Sequence, residues 1–174
     1  RVYLLDENPS IGGAMAQLDK TFPTNDCSMC ILSPKMIEVA RHPNIELLTY
    51  AELLSIKGDA GNFTAKIRKK PRYIDVEKCT GCGDCIEAYR LKGRISNEFD
   101  MGASKRSAIY ITFPQAIPLK CVIDPNHCLM LTRGKCGTAP LCVEACKAGA
   151  INFKQREKEI EINVGAVIVA SGFD

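Results

Sequence analysis

The sequence has no tryptophan, two histidines and aromatic residues at only 6% of its 174 positions. So few histidines leave little for acid–base or hydrolytic chemistry, and no Ser/His/Asp constellation or paired-carboxylate site is apparent. The net charge is +3, too small by itself to point to a nucleic acid. No apolar run approaches the ~18 residues a membrane-spanning helix needs, and no charged-then-apolar signal segment opens the chain. Apolar residues at 46% and charged residues at 25% are ordinary globular composition and argue against disorder. The length suits one domain, or one domain with a small insertion. The chain starts at Arg1 inside an expected strand and ends at Ser171-Gly172-Phe173-Asp174 just after another. We read it as a piece of a longer polypeptide, with some ligands of any site lying elsewhere.

Cysteine is what the sequence has in excess. There are ten: Cys27, Cys30, Cys79, Cys82, Cys85, Cys121, Cys128, Cys136, Cys142 and Cys146. A secreted disulfide scaffold is the plainest reading, and three points oppose it. No secretion signal is visible, the chain is long enough to bury a core without staples, and Cys79-x2-Cys82-x2-Cys85 packs its thiols too tightly for separate bridges to distant strands. A metal centre explains the spacing better. Thiolates two residues apart on a tight turn can face one point, and Gly81 and Gly83 let backbone amides turn inward as well. Those amides offset the negative charge of a thiolate-ligated cluster. Zinc usually takes a C-x2-C pair plus a distant second pair, whereas successive two-residue spacings are the bacterial ferredoxin run.

In two-cluster ferredoxins the fourth cysteine of each run ligates the other cluster. The first run here is Cys79, Cys82, Cys85 and then Tyr89, with Arg90 where proline is usual. The second is degenerate: Cys128, Cys136, Cys142, Cys146, followed by Lys147. Exchange assigns Cys79, Cys82, Cys85 and Cys146 to the first 4Fe-4S cluster. Cys128, Cys136 and Cys142 fall to the second, whose fourth ligand belongs at position 89. The second cluster is then held by three thiolates, as a three-iron form or with an exogenous ligand. Alternatively it recruits Cys121, His127 or the Tyr89 phenolate, or the pairing is swapped and leaves Cys121 as a ligand. Cys121 in Cys121-Val122-Ile123 also reads as a plain buried strand cysteine, and His127 as a polar turn residue.

Along the chain, Arg1 to Leu5 reads as a buried parallel strand ending at Asp6. An acidic residue there bonds a ribose hydroxyl in dinucleotide folds, or is simply a solvated strand end; the phosphate-binding turn would lie upstream of this chain. Gly12-Gly13 and a polar loop lead to Cys30. Ser33-Pro34 reads as an N-cap and first helical position, with a helix over Lys35–Arg41. Ile45–Tyr50 reads as a strand, and Ala51–Lys57 with Asn62–Lys69 as a hairpin. Lys66 to Arg72 is rich in base, either a solvated hairpin face or a dock for an acidic partner. Residues 74–154 repeat internally: Ile74-Asp75-Val76 precedes the first run and Val122-Ile123-Asp124 the second, each followed by a cysteine loop and a short helix. Glu159–Ile162 and Gly165–Ala170 read as returning strands, the latter buried, and Gly172 after it lets backbone approach a cofactor.

Several stretches resemble HdrA, the flavin subunit of heterodisulfide reductase. They are the run from Ile11 to Cys30, Leu32-Ser33-Pro34-Lys35, Ala40 to Glu46, Asn97-Glu98-Phe99-Asp100, Ala108-Ile109-Tyr110 and Phe113 to Pro118. The resemblance covers nearly the whole chain. It implies an α/β fold of the FAD-binding, thioredoxin-reductase-like kind over residues 1–73 and 155–174, with an inserted α+β ferredoxin-like two-cluster domain over 74–154. It places Asp6 on the adenosine ribose, Gly12 and Gly13 in the FAD-binding loop, and Gly172 near the flavin. It makes Cys27 and Cys30 ligands of a further cluster whose other ligands lie elsewhere. It implies a cytoplasmic electron-transfer subunit that works with other heterodisulfide reductase-like subunits, ferredoxin, and hydrogenase or dehydrogenase subunits. In that family the flavin bifurcates electron pairs. The departures at Tyr89 and Lys147 bear on the second cluster. The related flavin subunit of quinone-interacting oxidoreductase shares the early motifs, and a zinc-stabilised interaction module is the alternative outside redox chemistry.

Overall fold

The structure, a computed structural model, describes residues 1–172. In chain order its elements are β1 (Val2–Asp6), a 3-10 turn (Gly13–Gln17), α1 (Ser28–Arg41), β2 (Ile45–Thr49), β3 (Ala51–Asp59), β4 (Asn62–Lys69), α2 (Asp84–Glu87), β5 (Ile95–Ser96), a second 3-10 turn (Glu98–Asp100), β6 (Lys105–Arg106), β7 (Ile109–Tyr110), β8 (Val122–Ile123), α3 (Leu129–Arg133), α4 (Leu141–Ala145) and β9 (Lys158–Val164). Helix and sheet are mixed throughout. The chain divides into two compact units, Arg1–Pro71 with Arg156 onward, and Arg72–Gln155. The expected boundaries stood at 73/74 and 154/155. Phe173 and Asp174 lie outside the described residues.

In the first unit β1 and β2 pair in parallel, from Val2↔Ile45 to Asp6↔Thr49. Parallel neighbours need a crossover, and α1 lies in the connection. This helix starts seven residues before the expected Lys35. The Cys27 sulfur accepts from the Cys30 amide at 3.2 Å and caps the first turn, a role we expected of Ser33. Pro34 consequently sits inside the helix, where its missing N–H leaves the Cys30 carbonyl without the usual helical donor.

The β3–β4 hairpin continues into β9, giving an antiparallel sheet of order β3-β4-β9 whose β4–β9 register runs from Phe63↔Val164 to Lys69↔Lys158. Leu48, Ala51 and Ile67 are buried at its core, with Tyr3, Leu5, Ile160 and Ile162 packed against them. The basic run on β4 is answered by neighbouring carboxylates: Lys66 pairs with Glu159 at 2.6 Å, and Arg68 faces Glu52, Glu157 and Glu159 at 3.6–3.9 Å.

The expected buried strand Gly165–Ala170 is not one. Residues 165–170 are irregular, and Ile168 and Val169 are 92% and 82% exposed. An apolar run becomes a strand only where a neighbour takes up its backbone groups, and no described strand lies beside this one.

The second unit is built from very short pieces. Its helices span four or five residues and its strands two. Helices this short do not hold themselves together in water, so packing must. The expected strand at Ile74-Asp75-Val76 reduces to one antiparallel bridge, Ile74↔Ile151, flanked by Asp75 N–H to Ala150 O at 2.7 Å and Asn152 N–H to Tyr73 O at 2.9 Å. Strands β7 and β8 pair Ile109 with Ile123. The buried core is unusual in its chemistry. Alongside Ile74, Ala108, Ile109, Ile123 and Ala150 it contains Cys79, Cys85, Cys121, Cys128, Cys142 and Tyr89.

The internal repeat is visible in the backbone. The Cys79 amide donates to Asp75 O at 2.9 Å while the Glu77 amide donates to Asp75 Oδ1 at 3.1 Å. In the second half the Cys128 amide donates to Asp124 O at 3.0 Å and the Asn126 amide to Asp124 Oδ1 at 2.9 Å. A short aspartate side chain thus folds the same turn before the first cysteine of each run. Among the described residues no helix is long and apolar enough to cross a membrane.

Candidate metal centres

The first cysteine loop leaves its Asp75 turn at Cys79, passes Gly81 and enters α2 at Asp84. Gly81 has φ +74°, and a Cβ there would meet the Leu119 carbonyl oxygen at 2.5 Å, so only glycine lets the loop pass so close to the neighbouring backbone. Lys120 donates to the Cys79 carbonyl and ties the same two segments together. Further along the chain, α4 ends at Cys146. Cys79, Cys82, Cys85 and Cys146 all line one cavity of about 210 Å³, together with Cys121, Lys147 and Ala150. Thiols from both runs therefore come to one place. The Ala150 amide donates to the Cys146 sulfur at 3.3 Å, the kind of N–H···S contact that offsets thiolate charge.

Cys121, read from the sequence as a buried strand cysteine or a ligand of the second cluster, is buried as expected but lines the first cavity. It is 1% exposed, and its sulfur lies 3.7 Å from that of Cys85. The hydrogen bond between the two sulfurs lowers the Cys85 pKa, while Cys121 itself is raised, first by the same bond and then by burial. Its apolar neighbours marked it as buried; nothing in their pattern said which cavity it would join.

The second set is Cys128, Cys136 and Cys142. Cys128 and Cys142 are buried, and burial raises both thiols, Cys142 to about 11. All three act on the phenol of Tyr89, whose pKa is pushed up to about 12 by burial first and by these sulfurs next. Tyr89 is only 4% exposed, and its hydroxyl donates to the His127 carbonyl at 3.2 Å. Arg90 packs its guanidinium against the loop after Cys136: a Cβ on Gly137 would come within 3.2 Å of Arg90 Nη1. Among the described residues no three or more His, Cys, Asp or Glu side chains converge closely enough to hold a single metal ion.

Cys27 and Cys30 depart from expectation. Their sulfurs are joined in a disulfide, so neither is a free thiolate ligand in this structure. The reason is local: the capping turn at the start of α1 folds the Cys27 sulfur back over the Cys30 amide, which brings the two side chains together.

The residues assigned to the flavin lie in the first unit. Asp6 closes β1, its Oδ1 accepting from the Asn8 amide at 2.8 Å, and burial raises its pKa. Gly12 (φ +127°) precedes the 3-10 turn that starts at Gly13 (φ +54°). Between them and Asp6 in the chain, Ser10 is buried and its Oγ has no hydrogen-bond partner among the described residues. Gly172 (φ +81°) is exposed, and a Cβ there would meet nothing within 4 Å.

A buried ion cluster was missed by sequence reasoning. Arg106, its side chain 8% exposed, bonds Glu98 and reaches Asp124 Oδ2 at 2.9 Å, with the Tyr110 ring 4.2 Å from its guanidinium. Asp124 in turn meets His127 Nδ1 at 2.9 Å. Desolvation pushes Asp124 up, but bonds from Arg106 and His127 outweigh it and leave its carboxyl below the ordinary range. The turn before Cys128 is thereby anchored to β6.

No protein-family model matches the chain. Among curated proteins, an HdrA-like heterodisulfide reductase protein of Archaeoglobus profundus is 52% identical over 188 residues, 99% of this chain and 27% of its own length. The corresponding subunit of the H(2):CoB-CoM heterodisulfide,ferredoxin reductase of Methanothermobacter marburgensis is 52% identical over 174 residues, 100% of this chain and 25% of its own. The iron-sulfur HdrA subunit of the CoB--CoM heterodisulfide reductase of Methanocaldococcus jannaschii is 51% identical over the same span, again 25% of its own length. These relatives are of one class, subunits of oxidoreductases. The chain belongs to the HdrA family of heterodisulfide reductase subunits, and it spans about a quarter of the length of these relatives.

Proposed function

We propose that this chain is part of an electron-transfer subunit of a heterodisulfide reductase-like complex, relaying electrons between FAD and 4Fe-4S clusters in flavin-based electron bifurcation. The observation that carries the reading is the convergence of Cys79, Cys82, Cys85 and Cys146 on one cavity of about 210 Å³. That space suits a cage of several irons, each taking its own thiolate. A lone zinc would draw four sulfurs to about 2.3 Å from one point. The Ala150 amide donates to the Cys146 sulfur, and once Cys85 is a bound thiolate the Cys121 thiol 3.7 Å away would donate to it, the kind of donors a negatively charged cage needs. The cysteine-rich core and minimal helices of the second unit also favour a covalent or metal staple. The names of the relatives favour heterodisulfide reductase over the quinone-interacting alternative.

In the first unit, Asp6 at the end of a parallel strand and the unpartnered Ser10 hydroxyl suit the polar edge of a nucleotide. When bound, FAD would supply the two-electron chemistry that single-electron clusters lack. The chain's own work is to hold: Asp6 orients the ribose, Gly12 lets backbone approach, and Cys79, Cys82, Cys85 and Cys146 fix the first cluster. Ferredoxin and hydrogenase or dehydrogenase subunits are the partners this reading implies, in a cytoplasmic assembly.

The test is iron, acid-labile sulfide and flavin counted on full-length protein purified without oxygen. Iron and sulfide in near-equal amounts, with flavin fluorescence released on denaturation, are expected. Zinc without sulfide would overturn the reading.

A further inference from the structure

The two cysteine sets are unequally supplied. The first cavity has Cys121 beside its four expected ligands; the second has three sulfurs. A cage of four irons needs four terminal ligands, and the run places the fourth at position 89. Two substitutes for that missing thiolate are already engaged, and the third, His127, lines a different pocket. Cys121 lines the other cavity, its sulfur 3.7 Å from Cys85. The His127 ring bonds Asp124 through Nδ1 at 2.9 Å and lines a separate pocket with Arg94, Asn97 and Glu98. The Tyr89 hydroxyl gives its proton to the His127 carbonyl at 3.2 Å. Binding iron through that oxygen would require giving up this bond inside the core. The ring is 4% exposed, so its own position offers no open space to water or another outside ligand.

We propose that the second centre is a three-iron cage held by Cys128, Cys136 and Cys142 alone, with Tyr89 plugging the corner of the missing iron. A three-iron cage needs only three terminal ligands, one on each iron, which is the number this set offers. Cluster type is one determinant of reduction potential, so the substitution at position 89 sets the two centres of one small unit at different potentials. The inference rests on the iron–sulfur reading above.

The experiment uses full-length protein purified without oxygen, as native, Tyr89→Phe and Tyr89→Cys forms. Iron is counted per chain, and low-temperature electron spin resonance is recorded on oxidised samples. The native protein should show the spin signal of an oxidised three-iron centre at roughly one spin per chain. Tyr89→Phe should keep both signal and iron count. Tyr89→Cys should gain about one iron per chain and lose at least about nine-tenths of the signal. A native protein without that signal, whose iron count Tyr89→Cys leaves unchanged, would overturn the proposal. So would loss of the centre in Tyr89→Phe, which would make the phenolate a ligand. Should Tyr89→Cys not fold, the native signal and Tyr89→Phe decide. Protein carrying zinc and no sulfide would instead bring down the underlying iron–sulfur reading.

Discussion

The two halves of the cysteine-bearing unit begin alike and end differently. Both enter their cysteine loop through an aspartate turn, Asp75 before Cys79 and Asp124 before Cys128, with the same pair of backbone hydrogen bonds. The first half then runs tight against a neighbouring segment, with no room beyond Gly81, and collects a surplus thiol in Cys121. The second is looser at Gly134, where a Cβ would meet nothing within 4 Å, though Gly137 packs against Arg90, and a buried phenol stands among its sulfurs. It is instead anchored from outside by the Arg106 cluster. A duplicated loop can thus keep its folding instructions while its ligand sets diverge, because turn and ligands are specified by different residues.

The glycines should sharpen this contrast most. Gly81→Ala adds a Cβ 2.5 Å from the Leu119 carbonyl at a left-handed φ, and should cost about 3 kcal/mol of stability. Gly134→Ala meets only the left-handed penalty (φ +70°), about 1 kcal/mol. Thermal melts of the two variants side by side check this, and equal losses would break the comparison.

The aspartates come next. Asp124→Asn weakens the anchor of buried Arg106 and should cost about 2 kcal/mol. Asp75→Asn loosens only a more exposed turn and should cost about half as much. The pH dependence separates them further. The folded Asp124 carboxyl titrates below its ordinary value, so its contribution is present above the unfolded pKa and is lost as pH falls through the folded one. Stability of the native protein should therefore drop as pH falls below about 4 more steeply than that of Asp124→Asn, as read by denaturant titration at successively lower pH.

The smallest effect belongs to Cys121. Cys121→Ala should leave the iron count unchanged, cost about 1 kcal/mol for the small void, and lower the first centre's reduction potential by removing a donor to Cys85. Redox titration followed by absorbance checks the direction; a drop in iron would instead make Cys121 a ligand.

Much of this was legible in the residues, and what was not has physical causes. Alternating apolar residues bounded by glycines marked β3 and β4 to within two residues at their turn. The cysteine spacings grouped Cys79, Cys82 and Cys85, and the exchange rule added Cys146, which the structure brings to the same cavity. Burial of Cys121 was readable from Val122 and Ile123, but its direction depends on tertiary packing that no local pattern encodes. The start of α1 was misplaced because a sulfur caps it, and cysteine is not among the usual capping side chains. The Arg106 cluster joins residues 98, 106 and 124, which no helical or strand period relates. The run at 165–170 has strand composition, but composition supplies no partner.

The bridge between Ile74 and Ile151 has a further consequence. It closes the two ends of the cysteine unit on each other, while Lys69 and Lys158 face each other across adjacent strands of the other unit. To the sheet, the whole of residues 72–155 is topologically an overgrown hairpin turn. Replacing residues 72–155 by a short linker should therefore leave the chain's route through the β3-β4-β9 sheet unchanged.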